Sequence, residues 1–338
     1  MMTQRIEIST RSLVTILAFL VGLWVFSLVY EILIAVFVSF IAVSTLGPLV
    51  DRLIALRFPK TLAVATVFVV ILLIIGLILG ILIPPLADQT AKLASKMPEY
   101  IHDLAQFTQV NPSFLQPSFI QDQIAPLSGN LFRLTLGIFT NVIAVISFLV
   151  FTFYLLLERQ NMDHVFSLFL NRGQKEQVVR LLARIEERLG AWSRGEFTLM
   201  TLIGVATFIG LSLLGVPFAL PLAVFAGLLE IIPVIGPIIA ALPAVLIAAT
   251  SSPVAALAVM ALYFIVQQAE NHILVPKVMQ RAVGLSPIVT ILAITIGGKL
   301  LGILGGLLAV PIVVVATVVM QEVAHGRVNF TGVTKEEE

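Results

Sequence analysis

The chain of 338 residues contains no cysteine, only 12% charged residues, two tryptophans and four histidines. Without cysteine there is no disulfide, no thiolate ligand for zinc and no thiol nucleophile. A formal net charge of +1 at pH 7 leaves no surplus of Lys and Arg to follow a phosphate backbone, so nucleic acid is excluded as a partner. There is no Walker A loop, no His-Glu-x-x-His and no Gly-x-Ser-x-Gly. The chain therefore reads as no enzyme, with no metal site and no cofactor beyond a coupling H+ or Na+.

What the sequence has instead is apolar length. Hydrophobic residues make up 59% and the mean hydropathy is +1.07, far more apolar surface than a soluble core of this size buries, so the bilayer is the solvent. Uncharged runs mark spans at Leu13–Tyr30, Ile32–Val50, Thr61–Pro85 and Leu134–Leu157, followed by most of Phe197–Met320. The first run follows Arg5 and Arg11 as a signal peptide would. A second run begins right after Glu31, so residues 1–60 are expected to form a retained transmembrane hairpin.

Basic residues fall in alternate connections: Arg5 and Arg11; Arg52, Arg57 and Lys60; then Arg159 to Arg194. These connections, and with them both termini, are placed in the cytoplasm. Residues 61–157 then comprise two spans enclosing an extracytoplasmic segment, 86–132, whose prolines and asparagines suggest short helices and turns. Within 158–196, Val178, Leu181, Leu182, Ile185, Leu189 and Trp192 recur at helical spacing among charged residues. This cytoplasmic amphipathic helix packs on the domain or lies on anionic headgroups. Residues 321–338 form a cytoplasmic tail.

The region 197–320 reads as a transport core. Leu220–Thr250 and Pro287–Met320 would each make a straight helix of about 46–51 Å, against a hydrocarbon core of about 30 Å. Each is interrupted in the middle, the first by Pro233, Gly236 and Pro237, the second by Gly297, Gly298, Gly302, Gly305 and Gly306. Either both segments are re-entrant hairpins, at 220–250 and 287–320, which keeps Lys277 and Arg281 in the cytoplasm, or both cross fully, which puts those residues outside. The hairpin reading gives span plus hairpin twice in opposite orientation, an inverted repeat. The expected fold is an all-α integral membrane protein, a polytopic helical bundle with two broken, re-entrant helical hairpins in its C-terminal half.

Polar residues inside these spans are candidates for a site. Gln267, Glu270 and Asn271, spaced i, i+3 and i+4, share a helix face. They line a site for a hydrated solute, a cation or a proton, or else Glu270 caps the span near the headgroups with His272 beside it. Glu230, three residues before the first break, either exchanges a proton or pairs with Lys299 in the second break. Gly298, Gly302 and Gly306 read as a packing face or as a flexible tip.

The stretches EIIPVIGPIIAALPAVLIA (Glu230–Ala248), QQAENHILVPKVMQRAVGLSP (Gln267–Pro287) and GGKLLGILGGLLAVP (Gly297–Pro311) resemble those of the AI-2E family, the autoinducer-2 exporter-like bacterial transporters. The family pattern maps onto Glu230, Pro233, Gly236, Pro237, Gln267, Glu270, Asn271, Pro276, Lys299 and Pro311, with His272 where a second Asn or a similar polar residue is expected. The resemblance implies a multi-pass protein of the bacterial cytoplasmic (inner) membrane, a homo-oligomer, a pentamer, that exports autoinducer-2 or exchanges sodium or lithium for protons. The expected mechanism is ion-coupled secondary transport of a small polar solute by alternating access. A midplane site lies between the two hairpin tips and the polar stripe, Glu230 and Glu270 carry the coupling ion, and one unit moves against a scaffold of the first four spans. Two alternatives stand beside it: a monovalent cation as the substrate of an antiporter, and a membrane scaffold that transports nothing.

Overall fold

The computed structural model describes residues 10–108, 142–159, 167, 170–233, 235–279 and 286–324. Among them there is no strand, and five helices are long and apolar enough to cross a membrane.

The N-terminal hairpin is not formed. Helix α1 runs unbroken over Thr10–Ala55, 46 residues or about 69 Å. Glu31 is a good helix former and no Gly or Pro flanks it, so nothing stops the helix between the two apolar runs. Helix α2, Lys60–Thr108, passes through Pro84 and Pro85, where its span was expected to end, and carries 86–108 as continuous helix instead of short pieces. The remainder of the predicted outer segment, 109–132, lies outside the described residues. Helix α3 covers Val142–Glu158, while 134–141 of its expected span is likewise undescribed.

Helix α4, Arg172–Leu213, fuses the predicted amphipathic helix with the following span. Its stripe Leu181, Ile185, Leu189 and Trp192 is buried against Val310, Val314 and Val318, so this face packs on the domain. Arg159 ties α1, α3 and α4 together near one end, with Nη1 2.8 Å from Asp51 Oδ2 and Nε 2.5 Å from Glu186 Oε1.

Both long C-terminal segments fold back on themselves. Helices α5 (Ala219–Leu229) and α6 (Ile235–Ser251) pack together around the break, where a Cβ on Gly236 would lie 1.9 Å from the Leu229 carbonyl oxygen. At about 17 and 26 Å, neither arm spans a bilayer core. Helix α7 (Pro253–Ala269) continues through a π-helical turn, Glu270–Leu274, into α8 (Val275–Val278). In α9, Pro287–Ala324, the backbone leaves helical angles at Leu301 and Gly302, and a Cβ on Gly305 would sit 1.9 Å from the Gly297 oxygen. Eight residues of straight helix would hold those glycines about 12 Å apart, so the chain reverses here as well.

Gly210 abuts Leu262 and Gly195 abuts Met279, so α4 and α7–α8 run antiparallel. The order is therefore helix plus hairpin, then antiparallel helix plus hairpin, as the inverted-repeat reading expects. Arg281 lies outside the described residues, so sidedness is tested elsewhere. Single cysteines at Arg180 and Ser251, both exposed, are expected to label with an impermeant maleimide from opposite faces of the membrane, and Lys277→Cys from the same face as Arg180→Cys. Labelling of Ser251→Cys and Arg180→Cys from one face would mean that 219–251 crosses.

Candidate functional site

The polar face of α7 is organised by the π turn. The extra residue it inserts widens the helix at Glu270, a distortion that recurs at functional sites. Gln267 Nε2 donates to Glu270 Oε2 at 2.8 Å and lies 3.5 Å from Asn271 Oδ1, so the three side chains form one network. Glu270 is 7% exposed, whereas Asn271 and His272 are on the surface, His272 with Nδ1 3.0 Å from its own Gln268 carbonyl.

Glu230 reaches this network from another element. Helix α5 lies close on α4 because Gly227 approaches both the Met200 carbonyl and Gly204, where a Cβ would sit 2.7 and 3.2 Å away. One turn beyond Gly227, the break in the first hairpin delivers Glu230, 4% exposed. Its carboxyl lies within hydrogen-bonding reach of the Glu270 carboxyl, while its Oε2 is buried without a hydrogen-bond partner among the described residues. Two buried carboxylates this close repel one another, so the pair is suited to holding a proton or a cation between them.

A third carboxyl was missed by the sequence reading. Glu196 of α4 is 8% exposed and within electrostatic reach of both Glu230 and Glu270. It fell on the boundary drawn between amphipathic helix and span. The signal was there, since Glu196 continues the buried row Leu189, Trp192, Leu199 and Ile203 and is the only carboxylate among them. The same stripes carry two more buried oxygens without partners among the described residues, Thr207 Oγ1 on α4 and Tyr263 Oη one turn from Gln267 on α7. Buried polar atoms are rarely left unpaired, so together with Glu230 Oε2 they offer unused hydrogen-bonding capacity to a guest.

The remaining candidates are placed differently. Lys299 is exposed in the second break and makes no ion pair among the described residues; Glu230 faces Glu270 instead. The second hairpin packs chiefly on α4, so the described chain does not bring the two tips together over one cavity. Pro233 supplies a carbonyl to the Ile235 amide at the first tip, and Pro237 sits in the first turn of α6, where a missing amide proton costs little. Gly298 and Gly302 are exposed and Gly306 is buried; Gly302 alone of the glycines in this break has a positive φ, +61°. Among the described residues no three of His, Cys, Asp and Glu are arranged to hold a metal ion.

The sequence model of the AI-2E family transporters matches residues 13–325. The chain is similar to YueF of Bacillus subtilis, 26% identical over 282 residues that cover 78% of this chain and 76% of that protein. It is also similar to the AI-2 transport protein TqsA of Escherichia coli, 26% identical with 88% of each covered, and to a sodium-lithium/proton antiporter of Halobacillus andaensis, 26% identical with 81% of this chain and 84% of that one covered.

Proposed function

Because this chain belongs to the AI-2E transporter family and is a multi-pass membrane transporter, we propose that it is an ion-coupled secondary transporter in which Glu230 and Glu270, with Glu196 beside them, carry the coupling ion. The observation that carries this reading is the convergence of three buried carboxyl groups from α4, the first break and the π turn, two of them within hydrogen-bonding reach of each other. Such groups are costly in a membrane interior and mark ion or proton pathways. Releasing the shared proton leaves a negatively charged, oxygen-lined site that a monovalent cation neutralises, and refilling it with a proton expels the cation. The unpartnered oxygens of Thr207, Tyr263 and Glu230 would bind a small hydroxylated solute such as autoinducer-2, moved outward.

The oxygens of the pair itself, Glu230 and Glu270, with the Asn271 amide oxygen beside them, equally suit a sodium or lithium ion as the substrate itself. The similarity to the sodium-lithium/proton antiporter favours keeping this second reading. In both, the protein is a homo-oligomer whose α1–α3 form the scaffold against which the remainder moves.

Proteoliposomes holding a pH-sensitive dye separate the readings. Under an imposed pH gradient, autoinducer-2 uptake that collapses with the gradient supports solute export. Proton release on adding Na+ or Li+ without solute supports antiport. No saturable flux of either kind would leave a membrane scaffold.

A further inference from the structure

We propose that Arg194 is a positioning residue: its guanidinium supplies the hydrogen-bond donor that Pro48 lacks and thereby pins α4 to α1 behind the carboxyl cluster. Pro48 sits inside α1, so the Ser44 carbonyl, one turn earlier, has no backbone amide to accept from. Ser44 is 2% exposed, and a buried carbonyl left without a donor is costly. Side chains just before the proline bond back to the preceding turn, Ser44 Oγ donating to Phe40 O at 2.8 Å and Thr45 Oγ1 to Ile41 O at 2.7 Å, which loads the carbonyls of that turn and not that of Ser44.

Two features of α4 meet this opening. Gly190 lies directly on it: a Cβ there would be 2.1 Å from the Ser44 oxygen, so only glycine permits the approach. One turn on, Arg194 Nη1 donates to Ser44 O at 3.2 Å and Thr45 O at 3.3 Å. Arg194 and Glu196 are two residues apart, about 200° around the helix. One side of α4 is thus fastened to α1 while the opposite side presents Glu196 to Glu230 and Glu270. A shift or roll of α4 at this joint moves the carboxyl, so the Pro48–Arg194 contact fixes the site relative to the scaffold helix. The docking stands on geometry alone; its purpose rests on the transport reading.

The test is a double-mutant cycle on the full chain, which has no cysteine to mask. Arg194→Met is expected to lower the melting temperature by about 3–6 °C and to speed maleimide labelling of Ser193→Cys, 4% exposed in the native protein, several-fold. Pro48→Ala restores the amide donor, so in that background Arg194→Met should cost less than half as much on both readouts. Arg194→Lys, which keeps a donor, should recover most of the loss. Equal losses with and without Pro48, or no recovery by lysine, would overturn the proposal. Ion flux in proteoliposomes should follow the same cycle. If docking follows it and flux does not, the positioning role is overturned, whereas wild-type vesicles without flux would overturn the transport reading and leave the docking cycle standing.

Discussion

Glu270→Gln and Glu230→Gln are each expected to reduce gradient-driven flux to the level of empty vesicles while leaving the protein folded and its melting temperature unlowered. Glutamine keeps the shape of the side chain and its hydrogen bonds. At position 270 its carbonyl oxygen still accepts from Gln267 Nε2, the bond now 2.8 Å long, and at position 230 its amide donates to the facing carboxylate. Stability is spared because a neutral amide in a buried site carries no desolvation penalty for charge. What glutamine cannot do is take up or release a proton or balance a cation, and in both proposed schemes that exchange is the coupling. The measurement is initial rate against an imposed pH gradient, with a size-exclusion profile of each variant as the control for assembly. Undiminished coupled flux in either variant would remove that residue from the mechanism. A variant that collapses in detergent would show the carboxyl pair to be structural.

The outline of this site was legible because membrane sequence is sparse in polar residues: with five charges in residues 197–320, Glu230 and Glu270 stand out, and i, i+3, i+4 spacing puts Gln267, Glu270 and Asn271 on one face. The breaks were legible too, since Pro233, Gly236 and the glycines of 297–306 have few other uses in apolar helices. Pairing across the fold was not. Lys299 looked like the natural counterion of Glu230 because opposite charges attract, yet which groups meet depends on helix register, and register here comes from the Gly204–Gly227 approach of α5 to α4. Glu196 was passed over because it lies where a charged helix runs into an apolar one, and hydropathy alone draws a boundary there although the helix has none. The same bias produced the mistaken hairpin at Glu31: one charge between apolar runs looks like a turn, but only residues that break backbone geometry make one. The π turn left no trace in the periodicity, because a single inserted residue shifts the face by less than the spacing of the polar residues reveals.

Gly305→Val is expected to leave little folded protein, and smaller changes at the same break should grade in a way that only a reversal of the chain explains. A Cβ at 305 would stand 1.9 Å from the Gly297 oxygen and 2.5 Å from its carbonyl carbon, and one at 297 would stand 2.3 Å from the Gly305 oxygen. These are backbone atoms that cannot swing aside, so the two arms must separate. Overpacking of this kind costs upwards of about 3 kcal/mol, against a total stability of roughly 5–15 kcal/mol. Gly302→Ala should cost about 1–3 kcal/mol for a different reason, since φ +61° with ψ −141° is a combination open essentially to glycine. Gly298, where an added methyl would meet nothing within 4 Å, should accept alanine with no loss. In a straight helix the order would invert: positions 297 and 305 would be about two turns apart, and alanine at 305 would stabilise by about 1 kcal/mol through helix propensity. Thermal unfolding of Gly298→Ala, Gly302→Ala and Gly305→Ala in detergent therefore reads out the fold of the second hairpin by sign. A rise in melting temperature for Gly305→Ala would mean a continuous helix, and the inverted repeat would fall with it.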